Sequence, residues 1–239
     1  MRHVVEEVLD AYGGGARWCR VTAIAAHYRL GGDFWARKGA SALAGEGEVT
    51  VWVKDQRVSM RPFGASDLKS VYSPARVSIE TVDNDLIEIL TRPRSSFDGH
   101  TRRSSWTDLQ VAYFTGYAMW TDLAEPFSLT MPGVELRYDS LWQEGPDDWR
   151  RLRVHYPPTV VTHTAQQTLY VDDRGLIRRR DYDIDIAGGS RAAQYVSDFV
   201  SVGGIVMPTT RTVYVRDAAD HPVRDQLEVS IELTDVRVL

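Results

Sequence analysis

Residues 104–127 read SSWTDLQVAYFTGYAMWTDLAEPF, and their apolar positions recur at the spacing of a long helix. Leu109, Ala112, Tyr113, Gly116, Trp120 and Leu123 share one face. Thr107, Asp108, Gln110, Thr115 and Asp122 gather on the other, mixed with Val111, Phe114 and Ala118. So wide an apolar arc needs cover over most of the helix surface. Ser104 or Ser105 is the expected N-cap, Asp108 suits the dipole of the first turn, and Pro126 stops the helix. The expectation is a central helix over 105–123, laid across the open face of a curved antiparallel sheet. Any cavity then lies between helix and sheet.

The rest of the chain is mostly a period-two pattern, the signature of strands. Val4, Val5, Val8, Leu9 and Tyr12 first mark an opening helix, which Gly13, Gly14 and Gly15 end. Strands are expected at 22–30, 48–54, 56–63, 76–82 and 86–92. Between them, 31–47 reads as a Gly- and Ala-rich loop with a helical turn, and a polar loop runs from Phe63 to Pro74. Beyond the helix, strands are expected at 127–130, 134–143, 149–156, 164–172, 176–186, 192–200, 205–216 and 227–238. Turn residues such as Asp83-Asn84-Asp85, Asp173-Arg174 and Gly203-Gly204 separate them. No repeat or linker interrupts the pattern, so residues 1–239 read as a single sheet-and-lid domain. The class is mainly β (α+β).

Composition narrows the partners. Lys and Arg number 28 against 33 Asp and Glu, a net charge of −5, and no basic face is evident, so nucleic acid is not expected. One cysteine, Cys19, makes no internal disulfide and no Cys-rich metal site; it reads as a buried apolar side chain. Glu6, Glu7 and Asp10 interrupt what would be the apolar core of an export signal. No run approaches the roughly 18 apolar residues of a membrane span. The expectation is a soluble cytoplasmic protein.

Three stretches carry a resemblance. Residues 4–15, followed by Ala16-Arg17-Trp18 and a strand, form an opening helix with a glycine break. Residues 170–176, YVDDRGL, form an Asp-containing hairpin turn. Residues 198–208, DFVSVGGIVMP, form a second Gly-bearing hairpin. Together with the mid-chain helix among antiparallel strands, the chain resembles the bacterial lipoprotein-carrier (LolA-like) superfamily. That resemblance implies an incomplete barrel with helices as a lid over an apolar cavity that holds acyl chains or other lipids. The lack of an export signal or lipidated cysteine departs from the family and suggests a cytosolic relative.

Strand parity then singles out polar residues on the apolar side of the sheet. Leu169 and Val171 share a face with His163 and Gln167; Tyr182 and Ile184 share one with Arg178 and Arg180; Met207, Val213 and Val215 share one with Arg211. A buried guanidinium requires a partner. One reading is a ligand carboxylate, phosphate or carbonyl held by an arginine beside an imidazole. The other is that these arginines sit at the rim or pair with Asp181, Asp183, Asp185 and Asp198. The candidate ligand-binding set is Tyr113, Tyr117, Trp120, Gln167, Arg178, Arg180, Arg211 and, before the central helix, His100. His163 and Tyr182 are the candidate catalytic residues. No metal-ligand spacing, P-loop, nucleophile elbow or dinucleotide fingerprint is present, so neither a metal nor a cofactor is expected.

Two functions fit. The protein binds a hydrophobic small molecule, one with a carboxylate or carbonyl, between sheet and helix. Alternatively it is a cofactor-independent cyclase, isomerase or hydrolase acting on a hydrophobic substrate in the same cavity. A third reading is an interaction module whose interior is filled.

Overall fold

The computed structural model describes residues 2–239. Two short helices open the chain, α1 (Arg2–Ala11) and α2 (Gly15–Trp18). Strands β1 (Ala23–Gly31), β2 (Glu46–Trp52), β3 (Arg57–Arg61), β4 (Leu68–Ser73), β5 (Arg76–Thr81) and β6 (Leu86–Thr91) follow, with α3 (Phe34–Arg37) between the first two. The central helix α4 spans Asp108–Ala124. Then come β7 (Glu135–Glu144), β8 (Asp147–His155), β9 (Gln166–Val171), β10 (Ile177–Ile184), β11 (Ser190–Val202), β12 (Ile205–Arg216) and β13 (Pro222–Val238).

All of these strands form one 13-stranded sheet in the order β6-β5-β4-β3-β2-β1-β13-β12-β11-β10-β9-β8-β7. Each pairing is antiparallel, and β1 against β13 joins the early and late halves, with Leu30 opposite Ile231. The sheet curls but does not close, which leaves β6 and β7 as free edges. It therefore has two walls, β1–β6 and β7–β13, and α4 lies between them. An incomplete barrel around a lid helix is the architecture.

Apart from Asp108 and Ala118, every residue of α4 is buried. The face holding Tyr113, Gly116 and Trp120 packs on the first wall. A Cβ on Gly116 would lie 2.4 Å from the Tyr72 side chain of β4, so only glycine permits this approach. Trp120 donates its indole N–H to the Trp52 carbonyl at 3.2 Å. The other face, with Phe114, Thr115, Ala118, Met119 and Asp122, meets Val213, Val229 and Ile231 of the second wall. Beyond the exposed Thr107 and Asp108, the polar arc of this helix thus looks at protein, not at water. α1 docks on the second wall, where the Tyr12 hydroxyl accepts from the Ile177 amide at 3.2 Å.

Four local expectations need correction. The N-cap of α4 is Thr107, not Ser104 or Ser105: Thr107 and Gln110 form a reciprocal capping box. The preceding connector is held otherwise, by the Lys38 ammonium, which donates to the carbonyls of Thr101, Arg102 and Ser104. The loop after Phe63 contains β4, hidden because it buries Ser70 and Tyr72 and turns Val71 outward. The stretch 127–130 is a 3-10 turn, Phe127–Thr130, whose Phe127 stacks on Trp18 at 4.3 Å between ring centroids. Its short apolar run carries too little periodicity to tell strand from turn. Cys19 is exposed rather than buried.

Candidate functional site

The second-wall face of α4 ends in a polar knot. Asp122 Oδ1 accepts from Arg180 Nη2 of β10 at 2.5 Å. Gln194 of β11 donates to both Asp122 oxygens, at 3.1 and 3.2 Å, and accepts from the same Arg180 nitrogen at 2.5 Å. Arg211 of β12 donates to the Asp122 carbonyl at 2.9 Å and the Pro208 carbonyl at 3.0 Å. One residue of α4, through its carboxylate and its backbone carbonyl, thus ties three strands to the helix, deep in the fold, where the two arginines are each 1% exposed. Arg180 Nε and Nη1, Glu125 Oε1 and the Tyr156 hydroxyl lack hydrogen-bond partners among the described residues. Burial pushes the Glu125 carboxyl up, while the nearby Arg180 guanidinium pulls it down.

Next to the knot lies His163. Its ring stacks on Tyr182 at 4.1 Å, nearly parallel, and its Nδ1 lies 3.2 Å from the Tyr117 hydroxyl. Burial drives the imidazole pKa well below its ordinary value, and the positive Arg180 and Arg94 add to that. Burial also drives the Tyr117 hydroxyl well above its ordinary range. Both groups are neutral at physiological pH. A general acid or base works best with a pKa near the operating pH, and these two are shifted away from it. The pair satisfies buried polar atoms.

Between α4 and the second wall run two small voids, of about 30 and 50 Å³. They share Phe114, Tyr182, Val213 and Val229 as lining, so they are two parts of one apolar seam. Asp122, Gln194 and His163 bound its inner end; Arg102, Arg191 and Glu228 bound its outer end. As it stands, the seam holds only about two or three waters' worth of volume.

The structure therefore brings together Tyr117, His163, Arg180, Tyr182 and Arg211. Tyr113 and Trp120 face the first wall: Tyr113 packs its ring on Tyr72 at 5.7 Å. Gln167 lies apart, donating to Thr162 Oγ1 at 2.8 Å and the Thr164 carbonyl at 3.0 Å. His100 rests edge-on to Phe97 at 5.4 Å in the connector before α4. Arg178 stands apart from Arg180, over the Phe199 ring at 5.4 Å. The reason is a register shift between Ile177 and Arg179, which sets Leu169 opposite Arg180 instead of Arg178.

Sequence reasoning missed Asp122 and Gln194 as partners of the arginines. Gln194 alternates with the buried Ala192 and Val196 on β11, so parity would have found it. It also missed a closed ion network on the opposite face of β10. There Arg179, fully enclosed, pairs bidentately with Asp181 at 2.7 and 2.8 Å and reaches Glu144 at 3.1 Å. Tyr170 and Tyr195 donate to those two carboxylates. Beside it an open groove of about 1090 Å³ is bordered by residues of both charges, among them Arg137, Arg153, Asp183 and Arg216. Among the described residues, no cluster of His, Cys, Asp and Glu could hold a metal ion, and no helix is long and apolar enough to cross a membrane.

Solved structures match this architecture over nearly the whole chain. A DUF1329 family protein from Desulfovibrio piger is similar with a TM-score of 0.57 at 12% identity, covering 99% of this chain and 92% of that one. A LolA superfamily protein from Nitrosomonas europaea gives 0.55 at 10% identity, covering 99% and 93%. A putative outer membrane lipoprotein-sorting protein domain from Vibrio parahaemolyticus gives 0.51 at 8% identity, covering 98% and 93%. No protein-family profile and no curated protein matches the chain. The fold is LolA-like.

Proposed function

We propose that the protein is a carrier that binds the apolar chain of a small amphiphile in the seam between α4 and the second wall. The observation that carries this reading is the contrast between the two sides of α4. Toward the first wall the helix is locked by the Gly116–Tyr72 approach. Toward the second wall it leaves two adjacent voids lined by Phe114, Met119, Val213, Val229 and Ile231. The voids are too small for a chain as they stand, so uptake requires the second wall to part from the helix. Each methylene buried is worth about 0.8 kcal/mol, and a chain in the seam exchanges apolar contacts for apolar contacts. The LolA-like fold and the lipoprotein-sorting description of one similar structure point the same way.

Acid–base catalysis has weaker support. His163 and Tyr117 are within reach of each other, yet burial favours the neutral form of both, and among the described residues no carboxylate is hydrogen-bonded to the imidazole.

The test is binding of an uncharged long-chain probe, oleyl alcohol, followed by native mass spectrometry. The protein is expected to take up one molecule. Ala118→Leu, which fills the seam from the helix side with a smaller side chain, is expected to abolish uptake while the protein still unfolds in one cooperative thermal transition. Uptake by both proteins alike would place the chain elsewhere.

A further inference from the structure

β13 carries one residue more than β12 at its middle. Val213 pairs with Val229 and Tyr214 with Leu227, which leaves Glu228 opposite no residue. A bulge of this sort re-aims the extra side chain. Here it turns Glu228, 9% exposed, toward a void walled by Phe34, Ile184, Ala192, Val213 and Val229. A carboxylate at the end of an apolar void is costly unless it is matched. It is matched twice over. Arg37 donates to one oxygen, and Arg102 Nη2 donates to the other at 2.9 Å.

The backbone is shaped to bring those arginines in. Gly32 sits directly on the bulge: a Cβ there would lie 2.4 Å from the Glu228 carbonyl oxygen, and its φ of +97° suits glycine. The Asp33 amide donates to the Leu227 carbonyl at 3.1 Å, which docks α3 and so Arg37 against the bulge. The connector before α4 supplies Arg102 from the other side. Lys38, next to Arg37, gives its ammonium to backbone carbonyls. Arg37 and Arg102 thus flank Glu228, Lys38 stands close to both arginines, and Asp33 acts on Arg37. The Arg102 side chain is 46% exposed, so this end of the seam reaches solvent.

We propose that this is the mouth of the seam, and that Glu228 holds the place of a ligand's anionic head. The proposal rests on the seam reading above. A single-chain amphiphile enters chain first; its carboxylate or phosphate takes over Arg37 and Arg102, and Glu228 swings out to water. The exchange replaces one anion by another, so no charge is left unmatched. The arginine forks suit either head group.

The experiment compares oleate with oleyl alcohol, which share a chain and differ in charge, on the full-length protein. Calorimetric titration is run where oleate is ionised. The wild type is expected to bind oleate more tightly than the alcohol, but by less than the roughly tenfold a charge-assisted hydrogen bond provides, because Glu228 gives up the same two arginines. Arg102→Gln is expected to erase that preference and leave oleyl alcohol unchanged. Glu228→Gln is expected to strengthen oleate binding severalfold and again leave the alcohol unchanged. Should Glu228→Gln fold poorly by thermal melt, the half-exposed Arg102→Gln carries the test. Lysophosphatidic acid distinguishes the source: tighter binding than oleate assigns a phosphate head, weaker binding a free fatty acid. Equal affinity for oleate and the alcohol, or variants that shift both probes alike, overturns the mouth and leaves the seam standing. Binding of neither probe overturns the seam reading, and the mouth with it.

Discussion

At the residue scale, a guanidinium sealed from water must find acceptors, and Arg180 and Arg211 find them on one helix residue. Asp122 is the carboxylate the two share, and Arg180 has a second one, Glu125, at 3.6 Å. Removing one partner of a buried ion pair leaves the other uncompensated, at about 3–5 kcal/mol. Asp122→Ala is therefore expected to lower the urea unfolding free energy by that amount. Arg211→Leu is expected to cost clearly less, because Asp122 keeps Arg180 and Gln194. The reverse ordering would show that Arg211, not Asp122, anchors the knot. Parity along β10 and β12 made both arginines legible as inward-facing. Their partner was not legible: a helical wheel sets Asp122 on a polar arc and holds no information about a second wall. Arg178 failed for a different reason, since the Ile177–Arg179 register shift is a backbone event that side-chain alternation does not encode. Glu228, at another bulge, escaped in the same way.

At the element scale, α4 tests propensity against packing. Alanine exceeds glycine in a helix by about 1 kcal/mol. At position 116, however, the added methyl would meet Tyr72 atoms at 2.4 Å, and overpacking typically costs about 1–3 kcal/mol. Gly116→Ala is expected to destabilise despite the better propensity. A raised melting temperature would mean that Tyr72 moves aside freely. Trp120→Ala on the same face removes a side chain 1% exposed together with its hydrogen bond to Trp52, and is expected to cost about 3–5 kcal/mol by chemical denaturation. The existence and near-exact extent of α4 were readable from apolar spacing, because a long element averages over many positions. Its cap was not. Ser104, Ser105 and Thr107 are all competent caps, and the choice falls to Thr107 because Gln110 completes the box and Lys38 holds the connector. β4 stayed hidden because its buried positions carry serine and tyrosine rather than aliphatic residues.

At the scale of the whole molecule, the two walls meet α4 through different chemistry, and His163 stands where helix and second wall join. Tyr117 and Phe114 face it from α4, and Tyr182 faces it from β10, with the charges of Arg180 and Arg94 nearby. The imidazole pKa lies well below its ordinary 6.5 in the fold, from burial first and the two arginines second. The sign follows directly. Above that ordinary value the histidine is neutral whether folded or unfolded, and it contributes no pH dependence. Below it the unfolded chain takes up a proton that the fold refuses, so stability falls as the pH drops, by up to about 1.4 kcal/mol per pH unit. Glu125, whose carboxyl is raised by burial, acts in the opposite sense, since the fold protonates it sooner than the unfolded chain does. The two are separated by substitution. His163→Gln keeps an acceptor for Tyr117 and removes the titration. Urea midpoints at neutral and mildly acidic pH are expected to diverge for the wild type and to converge for the variant. An equal decline in both would show that acid does not loosen the molecule at this joint. A smaller decline in the variant would locate the pH sensitivity between α4 and the second wall, along the same surface the proposed ligand has to part.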